Sequence, residues 1–139
     1  MKTLYQTSVT VTGGRNGKVQ SEDGVLELEV RTPKELGGPA GYTNPEQLFA
    51  AGYAACFDSA LNVVMNREKI HSEGPSTVKA TVALKPNGEG GYALDVALAV
   101  TIPGIEKSKA RELVEKAHKV CPYSNAIVKN VNVQLEVIS

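Results

Sequence analysis

Apolar and polar side chains alternate at every second position through "TLYQTSVTVT", residues 3–12, the period of a half-buried strand. The pattern stops at "GGRNG", where glycines and an Asn-Gly step supply turn chemistry. A short strand follows in "KVQSEDG", and "VLELEVRTP" alternates again, with Val25, Leu26, Leu28 and Val30 supplying the apolar weight. Three antiparallel strands are predicted. Beyond the Gly/Pro loop "KELGGPAGYT" the period changes. Asn44 reads as an N-cap, Pro45 as the first helical residue, and Glu46 and Gln47 fill the first turn. The helix they open runs to about Lys69 and is apolar on nearly every side.

Two further strands, "STVKATVALKP" and "YALDVALAVTI", are joined across "NGEGG". "EKSKARELVEKAHKVC" is amphipathic, with Ala110, Leu113, Val114, Ala117 and Val120 on one face. Pro122 interrupts that helix directly after Cys121, a short helical turn follows, and "VNVQLEVI" is a last strand. The order predicts a single α+β domain over residues 1–139, with antiparallel sheet wrapped around a central apolar helix. One domain of this size struggles to cover such a helix on all sides, so a dimer that lends a second wall is expected.

Fifteen basic and fifteen acidic side chains leave a formal net charge of zero. This argues against nucleic-acid or anionic-membrane partners, which demand a basic face. The Gly/Pro loop lacks the Gly-Lys-Ser/Thr ending of a phosphate-binding loop. The apolar helix approaches membrane-spanning length, but Gly52, Asp58 and Asn62 interrupt it, and a buried core helix has the same appearance. The N-terminal residues form a strand pattern rather than a secretory signal, so a soluble, cytoplasmic protein is expected. In that compartment two cysteines are a redox couple, part of a metal site or two unrelated buried thiols, rather than a static disulfide.

Cys56 lies mid-helix among Gly52, Ala55, Ser59 and Ala60, three or four residues away. Tight packing of an inert thiol explains that strip, and so does close approach of a reactive partner. Reactivity requires thiolate, which burial disfavours. Cys56 is also about three turns from the helix start, beyond the reach of the dipole. A cation must come from elsewhere. Arg15, flanked by glycines in a turn, is the candidate, and Glu46 is a carboxylate able to accept its guanidinium in a bidentate pair. Cys121, at a proline break, suits either a thiol that moves or an ordinary buried residue. A metal reading would recruit His118, Cys121, Cys56 and His71, without the paired local spacings of closed zinc sites. A non-enzymatic module with buried thiols is the other alternative.

"NPEQLFAAGYAACF" followed by "VCPYSNA" resembles the organic hydroperoxide resistance proteins of the OsmC-like superfamily, and the likeness extends over the whole chain. The resemblance implies an intertwined homodimer of OsmC-like fold and a peroxidase that reduces organic hydroperoxides. It makes Cys56 the peroxidatic nucleophile and Cys121 the resolving thiol, with Arg15 and Glu46 completing the site. It implies no metal or organic cofactor and a dithiol reductant, typically a lipoylated protein. Phe49, Phe57, Leu48 and Met65 are candidates for an apolar pocket, with core packing expected for at least half of them. Tyr42 stands near the helix entry with no role assigned.

Overall fold

Residues 1–138 are described by the structure, a computed structural model, and they fall into two compact units, Met1–Leu48 and a second beginning at Phe49. In the first, β1 (Val9–Thr12), β2 (Gly17–Ser21) and β3 (Glu27–Val30) form an antiparallel sheet in the order β1-β2-β3. The β1–β2 turn closes with Asn16 N–H donating to the Gly13 carbonyl at 3.1 Å. Gly13 and Gly14 take φ of +82° and +58° there, which a side chain would resist. After β2, the Asp23 carboxylate accepts from Ser21 Oγ (2.6 Å) and the Val25 N–H (3.0 Å).

These turns explain why both flanking strands are shorter than their alternating patterns. The register pairs Val9 with Ser21, where β2 ends, and the bond from the Glu22 N–H to the Ser8 carbonyl (3.0 Å) is the ladder's last, so residues 1–7 extend beyond it and lie exposed. Val25 is held by the Asp23 turn, so β3 begins only at Glu27.

A bridge from Val30 to Thr43 and a bond from Arg31 N–H to the Thr43 carbonyl (3.0 Å) bring the chain to its long helix. Arg31 also stacks 4.6 Å above the Tyr42 ring, which gives Tyr42 a structural partner. The helix α1 is Pro45–Arg67, and the Gln47 N–H donates to Asn44 Oδ1 at 2.9 Å, the cap read from the sequence. It ends two residues before the expected Lys69. That residue takes φ +56°, while Ile70 N–H reaches the Met65 carbonyl at 2.9 Å, a left-handed helix stop where glycine is usual.

In the second unit β4 (Thr77–Pro86) and β5 (Tyr92–Thr101) form an antiparallel hairpin, and Asn87 Oδ1 accepts the Glu89 and Gly91 N–H groups in its loop. Helices α2 (Lys107–Val120) and α3 (Pro122–Ile127) then lead to β6 (Asn132–Ile138), which pairs with β5 in parallel. This corrects the expectation of antiparallel sheets throughout. A helical crossover returns the chain to the end of the sheet where β5 began, so the next strand must run the same way.

Tyr53, Phe57, Leu61 and Val64 of α1 share one core with Val96, Leu98 and Val100 of β5 and with Leu113, Val114 and Ala117 of α2. Asp58 and Asn62, the polar interruptions of the apolar run, are both bonded to Ser76 just before β4, at 2.5 and 3.2 Å. Among the described residues α1 is the one helix long and apolar enough to cross a membrane. Its packing is one-sided: Ala51, Ala55, Asn62 and Val63 are exposed.

Candidate active site

The break between α2 and α3 places Cys121. Pro122 has no N–H to continue a helix, and the residue before a proline is driven to extended backbone. Cys121 accordingly has φ −64° and ψ 122°. Its N–H closes α2 on the Ala117 carbonyl (2.8 Å), and its own carbonyl accepts the Asn125 N–H (3.0 Å) to begin α3. The side chain of this one residue at the joint of two helices is wholly buried.

Cys56, half-buried on α1, lies near enough to Cys121 for the second sulfur to act on its ionisation, and both are free thiols. The backbone N–H of Tyr123 lies near enough to the Cys56 sulfur to favour its thiolate. The Cys56 thiol titrates above its ordinary value. Burial is the largest cause, followed by the hydrogen bond and charge of Cys121, while the Tyr123 N–H opposes them.

The strip of small residues beside Cys56 has a definite occupant. A Cβ on Gly52 would stand 2.9 Å from the Tyr123 hydroxyl and 3.3 Å from its ring. Glycine there lets the Tyr123 ring lie against α1, stacked on Tyr53 with centroids 5.9 Å apart and planes 28° apart.

Behind the thiols lies a polar chain that the sequence reading missed. The Tyr53 hydroxyl and Ser124 Oγ are 2.6 Å apart in the core, and Ser124 Oγ lies 2.8 Å from His118 Nδ1. The spacing of Tyr53 and Cys56, three apart on one helix, was the available signal, but an apolar helix makes a tyrosine look like packing. His118, weighed as a metal ligand, is bonded to Ser124, and His71 is exposed. Among the described residues no three His, Cys, Asp or Glu side chains stand where they could hold one ion. Of the pocket candidates, Phe57 and Met65 are core residues, whereas Leu48 and Phe49 are half-buried.

Within the first unit Arg15, in the β1–β2 turn, meets Glu46, in the first turn of α1. The pair is a single Nη1–Oε1 contact of 2.8 Å rather than a bidentate fork. Arg15 is 39% and Glu46 16% exposed. An ion pair this accessible contributes no more than about 1 kcal/mol to stability, so holding a guanidinium in one orientation is its larger effect. The four residues singled out in the sequence thus meet as two pairs, Arg15 with Glu46 and Cys56 with Cys121.

The model of the family described as OsmC-like protein matches residues 38–136. The organic hydroperoxide resistance protein OhrA of Bacillus subtilis strain 168 is 48% identical over 139 residues, covering 96% of each chain. The organic hydroperoxide resistance protein of Xanthomonas axonopodis pv. citri strain 306 is 45% identical over 137 residues, covering 96% of this chain and 94% of its own. Among solved structures, an organic hydroperoxide resistance protein OsmC from Legionella pneumophila superposes with a TM-score of 0.95 at 51% identity, covering 99% of this chain and all of that one.

The two effects of Cys121 on Cys56 have the same sign, so removing Cys121 has a defined consequence. In Cys121→Ala the pH midpoint for alkylation of Cys56 by iodoacetamide, followed by mass spectrometry, should fall. It should stay above that of free cysteine, because burial is the leading cause and remains. A midpoint unmoved by the substitution would mean that the second sulfur has no hold on the first.

Proposed function

The chain belongs to the OsmC-like family, and from its paired thiols we propose that it is a cysteine-based peroxidase reducing organic hydroperoxides to alcohols. The observation that supports this reading best is the meeting of a half-buried thiol on α1 with a wholly buried one at the α2–α3 joint, both reduced. The kinship with organic hydroperoxide resistance proteins supports a role in resistance to organic peroxides. In the proposed cycle the Cys56 thiolate attacks one peroxide oxygen. The O–O bond breaks, an alkoxide leaves to be protonated as alcohol, and Cys56 becomes a sulfenic acid. Cys121 condenses with it, giving a disulfide and water. A dithiol, such as a lipoylated protein, restores both thiols by exchange.

Thiolate supply alone does not make such a reaction fast. A thiol of pKa about 8.5 is a few per cent ionised near neutral pH, so full ionisation gains roughly thirtyfold. The Cys56 thiol titrates higher than ordinary, and part of any gain from lowering it is cancelled because nucleophilicity falls with pKa, with a slope of about 0.4–0.5. The larger contribution in this reading is stabilisation of charge on the departing oxygen. That role is assigned to Arg15, aimed by Glu46, on the motif match and on their ion pair.

A homodimer is part of the same proposal. Leu4, Tyr5, Val9 and Val11 of the first unit and Val63 of α1 are exposed apolar side chains, and a second copy would cover them.

Three measurements bear on the proposal. With an alkyl or fatty-acid hydroperoxide and excess dithiol, Cys56→Ser should have no turnover. Cys121→Ser should consume one equivalent of peroxide and stall with Cys56 oxidised. Normal turnover by the Cys121 variant would remove its resolving role, and slow reaction of both wild-type thiols with any organic hydroperoxide would remove the peroxidase. Arg15→Lys keeps a charge but loses the planar fork, and it should slow the first oxidation about a hundredfold in stopped flow. Unchanged kinetics would take Arg15 out of the site. Light scattering should give about twice 14.7 kDa, and a monomer at micromolar concentration would end the dimer proposal.

A further inference from the structure

Cys121 has a problem that Cys56 does not. To act as a nucleophile it must lose a proton, yet its side chain has no contact with water. The polar chain behind it leads outward. Tyr53 sits one helical turn from Cys56, and its hydroxyl is close enough to both sulfurs for their charges to act on it. From that hydroxyl the chain continues to Ser124, three residues beyond Cys121, and then to His118, which is half-exposed.

Proton counting gives the chain a direction. The Ser124 hydroxyl has one proton, so at any moment it donates to one neighbour and accepts from the other. Burial disfavours the charged form of His118. Neutral, with Nδ1 as the acceptor, it orients the chain so that Tyr53 donates to Ser124 and Ser124 to His118. The Tyr53 oxygen is then left with a free lone pair, able to accept a proton.

We propose that Tyr53, Ser124 and His118 are a proton relay that empties the Cys121 thiol when it attacks oxidised Cys56. As Cys121 moves to attack, its thiol meets the Tyr53 hydroxyl and its proton passes to the Tyr53 oxygen. Along the hydrogen bonds already present the Tyr53 proton passes to Ser124 and the Ser124 proton to His118 Nδ1. The freed sulfur electron pair forms the S–S bond, the Cys56 S–O bond breaks, and the departing hydroxide takes a proton from solvent to leave as water. His118 returns its extra proton to solvent, which balances the step. The relay rests on the peroxidase reading only for the oxygen on Cys56, since any electrophilic group there calls for the same deprotonation.

The test therefore uses dithiodipyridine in place of a peroxide. The accessible Cys56 attacks it and releases one thiopyridone. Cys121 then attacks the mixed disulfide and releases a second, leaving the Cys56–Cys121 disulfide. In Tyr53→Phe, Ser124→Ala and His118→Asn the rate of the second release relative to the first should fall about a hundredfold, the low end for a positioned proton carrier. Ser124→Thr, which keeps the hydroxyl, should retain the wild-type ratio. His118→Asn is decisive because asparagine keeps a hydrogen bond to Ser124 but cannot shuttle a proton. A wild-type ratio in His118→Asn, even with a loss in Ser124→Ala, would reduce the chain to a packing element and overturn the relay. An absence of reaction with hydroperoxides would remove the peroxidase reading while the two thiopyridone releases still decide this one.

Discussion

One missing hydrogen atom organises the thiol site. Because Pro122 has no N–H, α2 cannot run on through it, and the chain turns at Cys121 before coiling again as α3. That turn does three things within four residues. It buries the Cys121 sulfur near Cys56, it brings the Tyr123 N–H near the Cys56 sulfur, and it brings Ser124 under Tyr53. An uninterrupted helix would carry these groups about 100° apart around its axis and spread them along it. The Tyr53–Ser124–His118 chain exists because the break places His118, in the last turn of α2, opposite Ser124 in the first turn of α3.

The site is built to hold thiols in reserve rather than to ionise them. Burial and the neighbouring sulfur both raise the Cys56 thiol, and a single backbone N–H offsets only part of this. A protonated thiol is a poor target for adventitious oxidation and metals alike. Its neighbours are a second buried sulfur and a polar chain reaching from the core to half-exposed His118. In the proposed reaction, selectivity would come from what happens after encounter, when charge develops, more than from the resting thiolate population.

Local features of the fold were legible because their causes are local. The Asn44–Pro45 entry, the glycine turn before β2 and the amphipathic face of α2 each follow from residues within one or two turns of each other, and each is found. The pairing of Cys56 with Cys121 was reached through motif resemblance alone, and that of Arg15 with Glu46 through charge complementarity joined to the same resemblance, since nothing in their spacing specifies contact. Features set by distant partners were not legible. The length of β1 depends on where β2 stops, and the parallel entry of β6 depends on two helices acting as one crossover. Tyr53 was hidden for another reason. Its ring satisfies the apolar pattern of α1, and only the fold shows that its hydroxyl has a hydrogen-bonded partner inside the core.

Gly52 shows how a helix can be weakened locally for the sake of a site. Glycine in a helix interior costs about 1 kcal/mol relative to alanine, and alanines already flank this position at Ala50, Ala51, Ala54 and Ala55. Helix propensity alone would favour one more. What alanine would bring instead is a methyl group 2.9 Å from the Tyr123 hydroxyl, closer than ordinary van der Waals contact permits. Tyr123 is exposed enough to swing away, so the chain would still fold. The movement would lift the stacked ring from Tyr53. The glycine is therefore better explained by the seating of the Tyr123 ring of α3 on Tyr53 than by the stability of α1.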